Sequence, residues 1–411
     1  IYLCKIRKKH GIYVKFKEAV CFMKATNEKK SEGYSSPYDF DGRIPLSQAI
    51  PLGLQHVMAM FIGNLTPLII VMGVCGLTAD AGFGELRTAL LQNAMIIAGV
   101  VTLVQMFSIG PVGGKVPIVM GTSSGFLGVL NNTVAACGGG ILAYGAIMGA
   151  CIVGGIFESV LGAFLKPLRK FFPPIVTGSV VIAIGLSLLG VGINYFCGGS
   201  GKADYGSLPN LFLGFVVLVV IVLLKHFAPQ KSILSSSAIL FGILAGYVVA
   251  IIMTLTLPHT GIDADGVQYT YSWVVDFAQV KNAAWIAVPS FIGFGALSDV
   301  KITFQASAII PIGIMFIVTA IETVGDISAC IEGGMDREAT DSELSGGVIC
   351  DGLGSAFAAL FGVLPNTSFS QNVGLVSLTK VVNRFAISMG AIFLILCGFC
   401  PKIGALMSIM P

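Results

Sequence analysis

Residues 365–380, PNTSFSQNVGLVSLTK, separate two oily stretches, GGVICDGLGSAFAALFGVL (346–364) and FAISMGAIFLILCGF (385–399). A run of prolyl, amide, hydroxyl and glycyl residues between such neighbours sits at membrane depth without being an ordinary membrane helix. Inside hydrocarbon every backbone N–H and C=O needs an internal partner, so non-helical backbone is tolerated only where protein buries it or where it lines a cavity. The segment therefore marks a candidate binding site. KVPIVMGTSSGFLG (115–128) has the same make-up, with a Pro near its start followed by Gly, hydroxyls and Gly.

The rest of the chain supports that depth. Of 411 residues 55% are hydrophobic and only 11% charged, 52 are Gly, and the mean hydropathy is +0.89. Soluble domains carry about one-quarter charged residues, so the chain is read as a polytopic membrane protein. Apolar spans of about 20 residues, enough to cross a core of roughly 30 Å, recur at 48–74, 88–109, 141–165, 174–197, 208–227, 233–257, 305–329, 345–364 and 384–408. With 116–131 and 365–380 as half-crossings this predicts about 11 crossings, all α-helical apart from the two broken elements. Short Pro/Gly-interrupted segments at corresponding places in two halves point to an inverted-repeat transporter with its site at the midplane.

Basic residues in short loops stay cytoplasmic. An inside N-terminus puts Lys115, Lys166, Arg169, Lys170, Lys225, Lys231, Arg337, Lys380 and Arg384 inside, against Arg87, Lys202, Lys281, Lys301 and Lys402 outside. The tail 1–45 adds further Lys and Arg and reads as a solvated cytoplasmic extension rather than a nucleic-acid arm. Its charged start is not followed by a short apolar run and cleavage site, so no signal peptide is read.

Ionisable side chains within membrane spans are costly and mark function by default. VTAIETVGDISAC (318–330) puts Glu322 and Asp326 one helical turn apart on one face. Asp351 falls near the start of its span, and Gln55 and His56 inside the first. His56 is read equally as a site residue or a packed histidine. Glu158 is expected to reach the inner interface close to Lys166. The ten cysteines are scattered, and although Cys397 and Cys400 have a CxxC spacing no second pair completes a metal site. Neither metal, disulfide nor cofactor is assigned, and no GxxxxGK[ST] loop occurs to couple ATP. A channel would need a continuous polar pore and an enzyme a nucleophile–base set or a metal.

QHVMAMF (55–61), ETVGD (322–326) and QNVGLVSLTKV (371–381) resemble the signature segments of the nucleobase-ascorbate transporter family, the uracil/xanthine permeases. The resemblance covers roughly residues 45–411. It implies a core domain and a gate domain, with 116–131 and 365–380 as short strand–helix crossings enclosing the substrate. Glu322 then accepts hydrogen bonds from ring N–H groups of the base and Gln371 is a second polar clamp, with Ser124, Gly125, Phe369 and Ser370 lining the site. His56, Asn372 and Gly374 hold its geometry, and Glu322, Asp351 and Asp326 couple protons. Gln371 stands where uracil carriers typically have Glu, and Asp326 where they have His, which favours xanthine or urate. The family has an aromatic after the first hydroxyl pair, whereas here Ser124 and Gly125 stand there and the aromatic comes at Phe126.

The implied organisation is a tail (1–45), a first core half (46–165, crossings 1–4), part of a gate (166–257, crossings 5–7), an extracellular loop and re-entry (258–304), a second core half (305–383, crossings 8–10) and crossing 11 (384–411). The family pattern has roughly 14 crossings, so the last ones are expected to be missing here. The function implied is proton-coupled import of a purine base across the plasma membrane by a homodimer, with no nucleic acid involved. A uracil permease and a truncated non-transporting remnant remain open at this stage.

Overall fold

The computed structural model describes residues 34–165, 174–199, 202–229, 233–262 and 268–410. Most of the basic tail, together with Lys166, Arg169, Lys170 and Lys231, lies outside the described residues. The first part of the chain forms α1 (Leu46–Val74), α2 (Gly84–Phe107), β1 (Met120–Thr122), α3 (Leu127–Ala136) and α4 (Gly140–Ala163). There follow α5 (Pro174–Phe196), α6 (Leu208–Phe227), α7 (Ala238–Thr256) and a small hairpin of β2 (Thr260–Ile262) and β3 (Gln268–Thr270). The last part runs through α8 (Ala306–Met335), α9 (Asp341–Leu360), β4 (Asn366–Ser368), α10 (Ser370–Thr379), α11 (Arg384–Gly398) and α12 (Pro401–Ser408). Among the described residues, six helices are long and apolar enough to cross a membrane, or seven if the bent pair α11–α12 is one span.

α8 runs on to Met335, past the end read for its span, and two further departures change how the chain is laid out. α9 starts at Asp341 because Thr340 and Glu343 form a capping box, the Thr340 side chain accepting from Glu343 N while the Glu343 carboxylate takes Thr340 N. Asp351 is therefore at mid-helix, not near its start. The span 384–408 breaks at 399–400 into α11 and α12, bent by 87°. Pro401 lacks the N–H to continue α11 and instead opens a new helix, a position where its missing donor costs nothing.

Without a hydrophobic drive between helices in lipid, close association depends on small residues that let backbones approach. At Gly155 of α4 a Cβ would run into the Gly352 carbonyl oxygen of α9, and the converse holds at Gly352. Gly53 of α1 and Gly390 of α11 are matched in the same way. Farther along α4, the extended residues Lys301–Thr303 lie over Gly145 and Gly149, with Thr303 N donating to Gly145 O at 3.2 Å. By contrast α6 keeps Phe212, Phe215, Leu218 and Val222 exposed and packs on α7 through Gly242 and Gly246, as a lipid-facing pair does.

Candidate functional site

The two broken segments meet. β1 pairs antiparallel with β4 in the register Met120↔Ser368, Gly121↔Thr367 and Thr122↔Asn366, and each strand hands over to the N-terminus of a ten-residue helix, α3 or α10. Flanking bonds from Ser123 N to Pro365 O (2.8 Å) and Phe369 N to Val119 O (3.0 Å) extend the ribbon.

A two-stranded ribbon deep in a membrane has a difficulty at its outer edges. In an antiparallel pair alternate residues turn their N–H and C=O away from the partner strand, and these cannot stay unpaired. Here Met120, Thr122 and Asn366 are such residues. On α2, Thr102 Oγ1 accepts from Met120 N (2.9 Å) and sits 3.2 Å from Met120 O. On α9, Ser355 Oγ does the same for Asn366, at 2.9 Å from its N and 3.1 Å from its O. Asn64 of α1 accepts from Thr122 N at 2.8 Å. Gly121 makes this closeness possible, since a Cβ there would lie 2.7 Å from both Asn64 Oδ1 and the Phe369 ring.

α8 lays one face against this ribbon, carrying Thr319, Glu322, Thr323 and Asp326 at successive turns. Ser368 Oγ donates to Asp326 Oδ2 at 2.7 Å, and Ser370 Oγ lies 3.0 Å from each Asp326 oxygen. Thr323 Oγ1 donates to Asp351 Oδ2, with Thr367 Oγ1 3.5 Å from the same oxygen. Between these anchored neighbours Glu322 is only partly buried, and its Oε2 has no hydrogen-bond partner among the described residues. Gln371, next along α10 from Ser370, is exposed and its side chain makes no hydrogen bond among the described residues. Among the described residues, Glu322, one turn from Asp326 on α8, and Gln371, next to Ser370 on α10, thus have no hydrogen-bond partner.

The other predicted residues fall into two groups. Asn372 Nδ2 donates to His56 O at 2.8 Å and lies 3.3 Å from His56 Nδ1, tying α10 to α1, while Gly374 has open space beside it. Ser124 and Gly125 are partly exposed in the turn leading to α3. Both aromatics are buried. Phe369 is buried against Gly63, Gly121, Met60 and Val57, and Phe126 is buried edge-on to Phe316, centroids 4.8 Å apart.

Glu158 corrects the sequence reading. It does not reach an interface but is fully buried on α4, where Thr319 Oγ1 donates to its Oε1 at 3.1 Å. The close α4–α9 approach at Gly155 and Gly352 draws it in, one turn from that contact. Sequence reasoning also passed over Thr319, Thr323, Thr102 and Ser355. Thr319 and Thr323 share the helical face of Glu322 and Asp326, a spacing that signals them. Thr102 and Ser355 carry no such signal, because their partners are backbone groups of a strand whose register only the fold defines.

Residues 47–411 match the Permease family. A putative purine permease of Clostridium perfringens is 38% identical over 91% of this chain and 74% of its own length. The xanthine permease of Bacillus subtilis is 35% identical (89% of this chain, 75% of the relative), and the uric acid permease PucK of the same organism 34% (89% and 76%). Among solved structures, the transmembrane domain of a cyanobacterial bicarbonate transporter, BicA, superposes with a TM-score of 0.53 over 89% of each chain at 16% identity, a likeness of fold alone.

Proposed function

The chain belongs to the Permease family, the nucleobase-ascorbate transporters, and is a transporter rather than an enzyme; from that premise we propose that it imports a purine base, xanthine or urate, in symport with protons. The observation that carries the reading is that two polar side chains close to the β4–α10 junction make no hydrogen bond among the described residues: Glu322, one turn from Asp326, and Gln371, next to Ser370. A nucleobase presents N–H donors and C=O acceptors along its edges. An ionised carboxylate accepts two N–H groups, and a carboxamide answers one donor and one acceptor. Neither α3 nor α10 is capped by a side chain, and the N–H groups at the start of α10, Ser370 N and Gln371 N, can take a carbonyl oxygen of the base.

In this reading Ser124, Gly125 and Ser370 line the site, Ser370 also steering Asp326, while His56, Asn372 and Gly374 keep α10 in place. Phe369 and Phe126 support the ribbon from the core and do not stack on the base. Names of the relatives, which include purine, xanthine and uric acid permeases, support a purine over uracil. Residues 46–165 and 305–383 form the core, each half contributing one strand–helix element, and 166–257 with 384–411 belong to the gate. The matching clasps, Thr102 of α2 holding β1 and Ser355 of α9 holding β4, support an inverted repeat. The protein sits in the plasma membrane with its N-terminus in the cytoplasm.

Uptake of radiolabelled xanthine, urate and uracil by cells lacking their own purine carriers tests this. Xanthine or urate uptake abolished by a protonophore is expected. Uptake indifferent to collapse of both proton and sodium gradients would defeat symport, and a preference for uracil would move the chain to the other branch.

A further inference from the structure

Behind the junction lies a second pair of carboxyl groups that substrate binding does not use. Glu158 on α4 and Asp351 on α9 are each 0% exposed. Each keeps one oxygen in a hydroxyl contact, Glu158 Oε1 with Thr319 and Asp351 Oδ2 with Thr323, and each leaves the other oxygen, Oε2 or Oδ1, without any partner among the described residues. Thr319 and Thr323 are four apart on α8, so their Cβ atoms are about 5–6 Å apart, and Glu158 and Asp351 flank the contact of Gly155 with Gly352, one three residues along α4 from Gly155 and the other next to Gly352. The ionisable groups near Glu158 are Asp351 from α9 and Glu322 from α8, and those near Asp351 are Glu322 and Asp326, both from α8. α3 contributes none, and Lys301, over Gly145, lies three turns away along α4. Ion pairs among the described residues, Arg337–Glu343, Lys380–Asp336 and Arg384–Asp41, all lie elsewhere.

Two buried carboxylates acting on one another, with no cation beside them among the described residues, cannot both stay ionised, and one proton shared between them removes the conflict. It also gives the two orphan oxygens a use, because a protonated carboxyl is a donor and an ionised one an acceptor. The hydroxyl at Thr319 suits either state. Besides its contact to Glu158 it lies 3.2 Å from Phe316 O and 3.3 Å from Met315 O, so it can donate to Glu158 or donate to the helix and accept from it.

We propose that Glu158 and Asp351 are a proton-sharing pair set behind the substrate site, in which Glu158 holds the proton while Glu322 is ionised. Transfer breaks the O–H bond at Glu158 and forms one at Asp351, the negative charge moving the other way, from Asp351 beside Thr323 and Thr367 to Glu158 on α4. The titration belongs to the pair rather than to either residue. This deepens the symport reading by naming where the proton rests, and it is independent of which base is carried.

Infrared difference spectra of the purified chain in lipid nanodiscs, taken across a pH titration, test it without any transport. The parent is expected to show the C=O stretch of a buried protonated carboxyl at neutral pH. Glu158→Gln should remove that band, and Thr319→Val, which deletes only the hydroxyl, should shift it. A parent without the band at neutral pH, or a band unchanged in both variants, overturns the proposal. So does a band lost on adding sodium at constant pH, which assigns the pair to a metal cation. In uptake, the ratio of xanthine accumulated with and without an imposed proton gradient should fall in Glu158→Gln by about tenfold, toward 1. If the band behaves as expected while the parent carries no purine, the function proposed above fails and the pair stands.

Discussion

Replacing Ser355 by Ala tests the idea that the site depends on a ribbon whose outward-facing backbone groups are satisfied by hydroxyls. The hydroxyl makes two contacts, accepting from Asn366 N at 2.9 Å and lying 3.1 Å from Asn366 O, and both residues are buried. Its removal strands one N–H and one C=O where no water reaches. An unpaired buried group costs about 1–3 kcal/mol, which sets an upper bound of about 6 kcal/mol for the two. Hydrogen bonds between membrane helices average about 0.6 kcal/mol in double-mutant cycles, which sets a lower bound of about 1.2 kcal/mol. We expect a loss near 2 kcal/mol, about a 30-fold shift in the folding equilibrium. Ser355→Thr keeps the hydroxyl and is the control. Thr102→Val, nearly isosteric, should cost a similar amount at the opposite edge. The assay is loss of helical circular dichroism in mixed micelles of increasing sodium dodecyl sulfate, with purine binding measured on the same samples. If Ser355→Ala and Thr102→Val both unfold within 0.5 kcal/mol of the parent, a difference of about twofold, the hydroxyls are incidental and the argument about ribbon edges is wrong.

Gln371→Glu should weaken xanthine binding by about tenfold or more, because a purine carbonyl would then face an anion in place of a donor, a mismatch of about 1–3 kcal/mol; Glu322→Gln should be worse, and equilibrium binding to membranes at matched expression compares them. Gly121→Ala places a methyl 2.7 Å from Asn64 Oδ1 and the Phe369 ring, so it should destabilise by about 1–3 kcal/mol in the same micelle assay, and unchanged stability would mean that α1 yields more readily than its packing indicates.

Much of this protein is legible in its composition and spacing. Long apolar runs define most of the helices because backbone in hydrocarbon has no other means of satisfying itself, and for the same reason PNTSFSQNVGLVSLTK and KVPIVMGTSSGFLG stand out as broken elements. The i, i+4 spacing of Glu322 and Asp326 places both on one face before any fold is known. What the tertiary structure decided is which groups meet. Strand register, and with it the need for Thr102, Ser355 and Asn64 at particular backbone atoms, depends on two segments 248 residues apart (Met120↔Ser368) coming into contact. Asp351 moved to mid-helix because the capping box at Thr340 starts α9 earlier than hydropathy does, and α11 stops where Pro401 forces a bend. Phe126 and Phe369 carry no mark of which way they face; the glycines beside Phe369 and the ring of Phe316 against Phe126 turn them into the core. Glu158 is the sharpest case. Its place near the end of an apolar run reads as an approach to the interface. Glycine contact between α4 and α9 instead seals it in beside Thr319, because backbones that close leave no path to water for a side chain on that face.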